Sequence, residues 1–256
     1  MRTNWLTILS CLCLLLALQN PAKAQQDTMR VLFVGNSFTY FWNMPQMVNA
    51  MAALEKEPLD IHQSTVGGST LKQHFNREKG TKTRALVDQE HWDYVILQEF
   101  STGSVYKEDD FKEYGTKLVN LAKAKGAQPV LYMTWGYKSN PLYQHIISKS
   151  YTQLGEKLNV NVIPVGKLFM KARTLRPDLN FYFDDKHPSS EGSYLIALIF
   201  YKALTGNSVA NIPDRLDSKD QSGEEIILSF ILPETGIFLR QLVDEWTFEP
   251  NQIVKN

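Results

Sequence analysis

The chain has 256 residues, and its 27 Lys and Arg residues balance 27 Asp and Glu residues, which gives a formal net charge of zero at pH 7. Without a cluster of basic residues, it is not expected to bind nucleic acid, which needs Lys and Arg against the phosphates. Both cysteines, Cys11 and Cys13, lie near the amino terminus, so the rest of the chain has no disulfide, thiol nucleophile or cysteine metal site.

The first 24 residues have the pattern of an export signal. Arg2 precedes an apolar stretch from about Leu6 to Leu18, and the small-x-small site "AKA" follows it. This stretch is too short to span a bilayer comfortably, and its flanks are typical of a secretory signal. We predict cleavage after Ala24, a periplasmic or extracellular location, and no stable membrane insertion after cleavage. The alternative is an uncleaved membrane anchor.

Strand-like and helix-like segments alternate in the remaining chain. The predicted strands are "RVLFVG" (30–35), "LDIHQSTVGG" (59–68), "DYVILQEF" (93–100), "QPVLYMTWG" (128–136) and "VNVIPVG" (160–166). The predicted helices are "MPQMVNAMAALEKE" (44–57), "DDFKEYGTKLVNLAKAKG" (109–126), "PLYQHIISKSYTQLGEKLN" (141–159) and the apolar segment that ends at Gly206. Nearly continuous apolar strands alternating with helices indicate a parallel sheet covered on both faces.

The predicted fold class is therefore α/β, a three-layer α/β/α sandwich around a central five-stranded parallel sheet. We assign residues 25–206 to this domain. Residues 207–256 are predicted to form a helical extension, broken near Pro233 and packed on the same domain. About 230 residues are enough to build one domain with its own core.

Polar residues follow the ends of the predicted strands. Ser37 stands in "GNS" after the first strand, Gly68 in "VGGS" after the second, and Gln98 near the end of the third. Ligands bind beyond the carboxyl ends of open parallel sheets. We therefore expect these residues to share one edge of the sheet with Asp184 and His187, which lie in the loop before the last apolar helix.

Together these residues form the set that acyl transfer requires. Ser37 is the candidate nucleophile and His187 the candidate base. Asp184, three residues before the histidine, is the candidate carboxylate that orients the imidazole. The backbone amides of Ser37 and Gly68 and the side-chain amide of Gln98 are the candidate donors to the oxyanion.

Each of these residues also has an ordinary structural explanation. Taken alone, Ser37 suits a helix N-cap, the glycine pair suits a turn, and Gln98 suits a buried amide. Asp184 and His187 alone suit a turn and a loop ahead of a capped helix. Asp185 is a second candidate carboxylate, although the three-residue spacing favours Asp184. The placement of the whole set at successive strand ends favours catalysis.

Four further residues near the strand ends are predicted to contact the substrate: Asn36, Gly67, Ser69 and Trp135. Trp135 suits either a wall on which a sugar ring stacks or a core aromatic residue. The sequence contains no HExxH, GxGxxG or GxxxxGK[ST] motif and no carboxylate cluster at the spacing of metal ligands. We therefore predict neither a metal nor a cofactor.

The segments "VLFVGNSF", "VGGS", "VILQ" and "DDKHPSSEGSYL" together resemble the SGNH hydrolases, which include the GDSL-type esterases and lipases. The resemblance covers roughly Arg30 to Gly206. It implies a serine nucleophile in "GNS", a glycine oxyanion donor in "VGGS", and a DxxH pair in "DDKH".

Two segments depart from the family pattern. Asn36 stands where the first motif usually has Asp, a change that the family tolerates. The third motif, GxND, is missing, and "LQEFS" stands at that strand end. The chain thus resembles a subgroup with "GNSF" and "LQ" in these places, and the resemblance implies that the amide of Gln98 replaces that of the motif's Asn.

These features predict an exported serine esterase that hydrolyses a carboxylic ester through an acyl-enzyme. Export and the family resemblance make O-acetylated glycans the expected substrate, and the partner is a small-molecule or glycan ester. The alternative is a non-catalytic glycan-binding module on the same fold, which the altered third motif favours. A lipase that acts at membranes is a further alternative, for which "FTYFWNMP" offers an apolar lip beside Ser37.

Overall fold

The computed structural model describes residues 28–57 and 59–249, and the predicted export signal lies outside them. The strands are β1 (Met29–Gly35), β2 (Leu59–Thr65), β3 (Tyr94–Leu97), β4 (Gln128–Tyr132), β5 (Asn161–Ile163), β6 (Arg215–Lys219) and β7 (Glu225–Phe230). The helices are α1 (Ser37–Tyr40), α2 (Met44–Leu54), α3 (Leu71–Asn76), α4 (Thr83–Gln89), α5 (Gly103–Tyr106), α6 (Glu108–Ala124), α7 (Tyr143–Leu158), α8 (Val165–Leu175), α9 (Ser190–Thr205) and α10 (Pro233–Asp244). A short 3-10 turn, Phe41–Asn43, separates α1 from α2.

The first five strands form one parallel sheet in the order β2-β1-β3-β4-β5. Helices cover both of its faces, so the predicted three-layer α/β/α architecture is confirmed. The chain passes from β1 to β2 on one side and then crosses to β3 on the other. This reversal places the carboxyl ends of β1 and β3 side by side. Ligands bind at such a switch point in open α/β sheets.

Side chains of the strands alternate between two apolar layers. In β1, Val31 and Phe33 face one layer, and Leu32 and Val34 face the other. Helices α2, α8, α9 and α10 complete the first layer, and α3, α4, α6 and α7 complete the second. Because both faces are covered, the central strands are apolar along their length, which is the pattern that predicted a buried sheet.

The apolar helix α9 lies in the centre of the first layer, and its residues from Gly192 to Tyr201 are all buried. It begins after Ser189, whose hydroxyl accepts the amide N–H of Gly192 at 3.1 Å. It ends at Gly206, which has a φ of +75°. Among the residues that the structure describes, no helix is both long and apolar enough to cross a membrane.

The predicted helical extension is wrong in its first half. β6 and β7 form an antiparallel hairpin, and α10 follows it. The turn between the strands is fixed by Asp220, whose side chain accepts the amide N–H of Ser222 at 2.8 Å, and by Gly223 with a φ of +86°. β7 exposes the consecutive residues Ile226 and Ile227. It therefore lacks the alternation from which a strand is recognised.

The hairpin and α10 nevertheless pack on the domain, as expected for this extension. Leu216 of β6, Leu228 of β7 and Leu239 of α10 are buried in the first apolar layer. Lys202 of α9 and Asp244 of α10 form an ion pair at 2.9 Å beside this contact. Residues 250–256, the end of the predicted extension, lie outside the described residues.

Candidate active site

A sharp turn after β1 carries the candidate nucleophile. Asn36 caps α1, because its Oδ1 accepts the amide N–H of Phe38 at 3.1 Å. Its Nδ2 donates to the carbonyl of Ser69 at 2.9 Å, which ties the turn to the loop after β2. Ser37 is the first residue of α1, and its hydroxyl faces His187. The cap is therefore Asn36, and the hydroxyl of Ser37 is left for another partner.

The side chain of Gln98 lies behind this turn and does not line the pocket. Its Oε1 accepts the amide N–H of Asn36 and the hydroxyl of Thr39, both at 3.0 Å, and its Nε2 donates to the carbonyl of Glu99. Gly35 leaves room for this amide, since a Cβ there would overlap Oε1 of Gln98 and Oγ1 of Thr39. The predicted role of Gln98 as an oxyanion donor is thus corrected. Both polar atoms of its amide are engaged inside the protein, where they position the nucleophile turn.

His187 and Asp184 lie in the loop before α9. Nε2 of His187 is 2.8 Å from Oγ of Ser37, and Nδ1 is 2.7 Å from Oδ2 of Asp184. Oδ1 of Asp184 accepts the amide N–H groups of Lys186 and His187 at 2.8 and 2.7 Å. An Asp that binds the backbone a few residues later forms a local turn, which explains the DxxH spacing. Because a carboxylate can only accept, Nδ1 carries the proton and Nε2 can accept the proton of Ser37.

The surroundings keep Asp184 ionised. Partial burial works to raise the pKa of Asp184, but hydrogen bonds from the ring and amide of His187 and from the amide of Lys186 outweigh it and lower the pKa to about 2. The carboxylate can therefore stabilise a positive imidazolium at neutral pH. Asp185, the alternative carboxylate, turns to a different partner, since its oxygens accept the amide N–H and the hydroxyl of Ser139, each at 2.8 Å.

The loop after β2 supplies a second backbone amide. Gly68 has a φ of +65°, a left-handed conformation that favours glycine. Nζ of Lys79 donates to the carbonyl of Gly67 at 2.6 Å and so fixes the loop. Among the hydrogen bonds within residues 28–57 and 59–249, none uses the amide N–H of Ser37 or of Gly68. Both residues line the pocket, so these two amides are candidate oxyanion donors.

A buried histidine supports this loop. Nε2 of His74 is 2.9 Å from the carbonyl of Gly35 and 2.8 Å from Oγ of Ser69, and its Nδ1 is 2.6 Å from Oγ1 of Thr83. A carbonyl can only accept, so Nε2 carries the proton and Nδ1 accepts from Thr83. Burial lowers the pKa of His74 to about 4, although the bond to the Gly35 carbonyl acts in the opposite direction. His74 is thus a neutral link between β1 and the glycine loop.

Sequence reasoning missed His74, and a capping box is the signal that would have placed it. The side chain of Thr70 accepts the amide N–H of Gln73, and the side chain of Gln73 accepts that of Thr70. This box starts α3 at Leu71. Leu71 and His74, three residues apart, then share the buried face of the helix.

A pocket of about 310 Å³ contains the candidate nucleophile and base. Glycine backbone, aromatic rings and one lysine line it: Asn36, Ser37, Phe38, Tyr40, Phe41, Gly67, Gly68, Phe100, Ser101, Lys186 and His187. The ring of Phe41 stacks on that of His187, with centroids 4.3 Å apart and 8° between the planes. This contact restrains the orientation of the imidazole. The sequence predicted an apolar lip in "FTYFWNMP" but not the stacking of Phe41 on His187, because that contact joins residues far apart in the chain.

The residues predicted to contact the substrate have different surroundings. Asn36 and Gly67 line the pocket, although the side chain of Asn36 is buried and used in the turn. Ser69 is fully buried, and its hydroxyl lies 2.8 Å from the carbonyl of Val66. The predicted substrate contact at Ser69 is therefore corrected to a role inside the glycine loop.

Trp135 is a core residue. It is fully buried and stacks between Phe38 and Phe169, with ring centroids 4.5 and 4.7 Å away. Its Nε1 donates to the carbonyl of Lys186 at 2.9 Å. Of the two roles that the sequence left open for Trp135, the structure shows the core aromatic residue, and the predicted substrate contact is corrected. The indole instead supports the ring of Phe38, which lines the pocket, and fixes the loop that carries His187.

A buried carboxyl group, Glu99, joins two walls of the site. Its Oε1 accepts the amide N–H of Phe100 at 2.6 Å, and its Oε2 accepts that of Leu71 at 3.3 Å. It thereby connects the loop after β3 to the start of α3. Burial raises the pKa of Glu99 to about 7, although these two backbone donors act in the opposite direction.

We expect Glu99→Gln to change the pH dependence of stability. Because the folded pKa of about 7 exceeds the ordinary value of 4.5, the contribution of neutral Glu99 is fully present below pH 4.5 and is lost as the pH rises through 7. From about pH 4 to pH 8, the free energy of unfolding of the wild type should fall by on the order of 3 kcal/mol relative to the variant. Urea unfolding of both proteins at several pH values measures this difference. The titration of His74 contributes equally to both proteins and therefore cancels. A difference that stays constant with pH would contradict it.

Fold and site together define a three-layer α/β/α protein with a Ser–His–Asp chain of hydrogen bonds at the switch point of its sheet. No protein-family model matches the chain, and no curated protein matches its sequence. Solved structures do match it. The chain has the fold of the SGNH hydrolases, and the resemblance predicted from its motifs is confirmed.

Three of the similar structures illustrate this likeness. A candidate SGNH hydrolase from Slackia heliotrinireducens is 29% identical, with a TM-score of 0.59 over 69% of this chain and 98% of the other. A DUF4886 family protein from Bacteroides uniformis is 19% identical, with a TM-score of 0.68 over 90% of this chain and 98% of the other. A variant of an acetyl-xylooligosaccharide esterase from Geobacillus is 16% identical, with a TM-score of 0.55 over 69% of this chain and 94% of the other.

Proposed function

We propose that the protein is a serine esterase that hydrolyses a carboxylic ester through an acyl-enzyme. The observation that carries this proposal is the continuous chain of hydrogen bonds from Oγ of Ser37 through the imidazole of His187 to Asp184. The likeness to a candidate SGNH hydrolase at 29% identity supports a hydrolase. The roles of Ser37, His187 and Asp184 as a catalytic triad are part of this proposal, and the distances between their side chains support it.

The first half of the proposed reaction forms the acyl-enzyme. Oγ of Ser37 attacks the carbonyl carbon of the ester while its proton passes to Nε2 of His187. The amides of Ser37 and Gly68 donate to the oxyanion of the tetrahedral intermediate, and Asp184 stabilises the imidazolium. The intermediate then collapses, Nε2 of His187 returns its proton to the alcohol oxygen, and the alcohol leaves.

The second half of the reaction releases the acid. A water molecule loses a proton to Nε2 of His187 and attacks the acyl carbon. The same two amides stabilise the second oxyanion. When this intermediate collapses, the proton on His187 returns to Oγ of Ser37, and the carboxylic acid leaves. The imidazole acts alternately as base and acid. Each time it becomes positive, its hydrogen bond to Asp184 stabilises the imidazolium.

We propose that the substrate is a glycan carrying short acyl groups such as O-acetyl, which the protein meets after export. A pocket of about 310 Å³ lies at the small end of ligand sites, which suits an acetyl group. The pattern of residues 1–24 supports export through a secretory signal. A similar structure is that of an acetyl-xylooligosaccharide esterase, and it suggests the class of glycan by analogy of fold.

The test uses the p-nitrophenyl esters of acetate, butyrate and octanoate. We expect the purified protein to hydrolyse acetate fastest, because an acetyl group needs only a short pocket and the pocket at Ser37 lies at the small end of ligand sites. Initial rates at several concentrations give kcat/KM for each ester. The strongest activity on octanoate would contradict the short-chain proposal and would favour the lipase that the apolar lip beside Ser37 suggested.

A non-catalytic glycan-binding module is the second candidate. The observation that favours it is the buried position of Gln98, which leaves the pocket without the side-chain amide that the resemblance implied. A module would bind acetylated glycans without releasing acetate. Background hydrolysis of all three esters together with glycan binding would support it over the esterase.

A further inference from the structure

Three aromatic side chains form a surface next to the candidate base, and we call Phe41, Trp42 and Phe183 the aromatic shelf. Phe41 stacks on His187 at 4.3 Å. The ring of Phe183 lies 6.0 Å from that of Phe41 and 6.3 Å from that of Trp42. The shelf therefore extends from the imidazole outward along the rim of the pocket.

The backbone is bent in an uncommon way to present this shelf. Trp42 has a φ of 52° and Asn43 a φ of 54°, so two consecutive residues other than glycine are left-handed. This conformation is unfavourable for a bulky residue such as Trp42, although Asn adopts it more readily, and strained residues often mark functional sites. Nε1 of Trp42 donates to the carbonyl of Pro188 at 3.1 Å, which fixes the indole beside His187. The ring is held in place although 44% of the residue is exposed.

The proposed reaction assigns this side of the pocket to one part of the ester. Nε2 of His187 must give its proton to the oxygen of the leaving alcohol, so the alcohol lies next to the imidazole. The acyl oxygen lies instead at the amides of Ser37 and Gly68. A surface that continues outward from His187 therefore meets the alcohol portion of the substrate.

We propose that the aromatic shelf binds the alcohol portion of the ester and that this portion is a sugar ring. The inference rests on the proposed esterase activity and adds to it the site that recognises the glycan. A pyranose has one face of C–H groups that packs on an aromatic ring, and it keeps its hydroxyl groups in water. The exposed ring of Trp42, held in place by its hydrogen bond to the carbonyl of Pro188, suits such a ligand.

An aliphatic alcohol would need different surroundings. A hydrocarbon chain gains most when it is enclosed on all sides, since the free energy follows the apolar area removed from water. The shelf is open, because Phe183 is 65% exposed and Trp42 is 44% exposed. None of the three shelf residues is charged, so the shelf itself selects a neutral ring face over an ionic group.

The experiment compares three acetate esters: acetylated xylo-oligosaccharide, ethyl acetate and octyl acetate. Trp42→Ala and Phe183→Ala should each lower the ratio of kcat/KM on the saccharide to that on ethyl acetate by roughly tenfold, mainly through KM. Leu54→Ala is the matched control, because Leu54 is an exposed apolar residue (55%) at the far end of α2. This variant should leave the ratio unchanged. Two separate shelf variants guard against one that misfolds.

Two results of this experiment would overturn the proposal. A parallel loss on all three esters would make the shelf a support for His187 only and would overturn the proposal. A larger loss on octyl acetate than on the saccharide would assign the shelf to an aliphatic alcohol and would also overturn it.

Binding of the saccharide to the Ser37→Ala variant, measured by calorimetry, separates this proposal from the esterase proposal. Binding that Trp42→Ala weakens, together with no ester hydrolysis by the wild type, would retain the shelf and remove the esterase. Hydrolysis of ethyl acetate without binding or turnover of the saccharide would retain the esterase and overturn the sugar site. The absence of both activities and of binding would overturn both.

Discussion

Ser37→Ala is expected to lower kcat on acetate esters by at least about 10³-fold while the fold is retained. The hydroxyl of Ser37 is the group within 2.8 Å of Nε2 of His187 that can attack the ester. Alanine leaves no atom that could form the acyl-enzyme, so the residual rate reflects only the pocket and its amides. The cap of α1 is the side chain of Asn36, which the substitution does not touch. Unfolding free energy should therefore change by less than about 1 kcal/mol.

Ser101→Ala is the matched control for this prediction. Ser101 lines the same pocket, and its hydroxyl is 2.8 Å from that of Tyr137 instead of the imidazole. We expect kcat to fall by less than about tenfold, since the lost hydrogen bond shapes a wall and takes no part in acyl transfer. Comparable losses in both variants, measured with circular dichroism to check folding, would mean that Ser37 acts only through the shape of the pocket.

Features that depend on neighbouring residues could be predicted from the sequence. The turn that joins Asp184 to His187 uses backbone amides two and three residues away, so the DxxH spacing already contains its geometry. The cap of α9 by Ser189 is local in the same sense. The parallel sheet followed from continuous apolar strands, because only coverage of both faces requires such a pattern.

Features that depend on distant packing could not be predicted in this way. The amide of Gln98 turns toward Asn36 because Gly35 has no Cβ to fill that space, and these residues are about 60 positions apart in sequence. Trp135 is buried because Phe38 and Phe169 enclose it from two separate helices. An aromatic residue or a carboxamide at a strand end suits either the pocket or the core, and only the surrounding side chains decide between them.

The same distinction applies to His74 and Phe41, whose contacts near the pocket were not predicted from the sequence. The role of His74 could not be predicted because its three partners, Gly35, Ser69 and Thr83, belong to three different segments. Phe41 stacks on the imidazole just before the backbone turns left-handed at Trp42 and Asn43, a conformation that is uncommon for Trp although Asn adopts it more readily. Residue propensities describe the conformations that a residue type favours. A side chain whose position depends on an unfavourable conformation can therefore be located only in the structure.

Asp184→Asn is expected to lower kcat by roughly 10²- to 10⁴-fold. In the wild type, Oδ1 accepts two backbone amides and Oδ2 accepts the proton on Nδ1 of His187. If the oxygen of asparagine keeps the two amides, its NH₂ group faces Nδ1. The imidazole must then accept at Nδ1 and carry its proton on Nε2, where it can no longer accept the proton of Ser37. The loss of the carboxylate charge also removes the stabilisation of the imidazolium.

Asp185→Asn makes the same change of charge one residue away and serves as the control. Its carboxylate binds Ser139 and does not contact the imidazole, so kcat should fall by less than about threefold. Measurement of kcat for both variants on one acetate ester separates orientation of His187 from the general effect of negative charge in this loop. Equal losses would assign the effect to charge alone. A small loss in Asp184→Asn would mean that His187 holds its tautomer without the carboxylate, and the triad would reduce to a Ser–His pair.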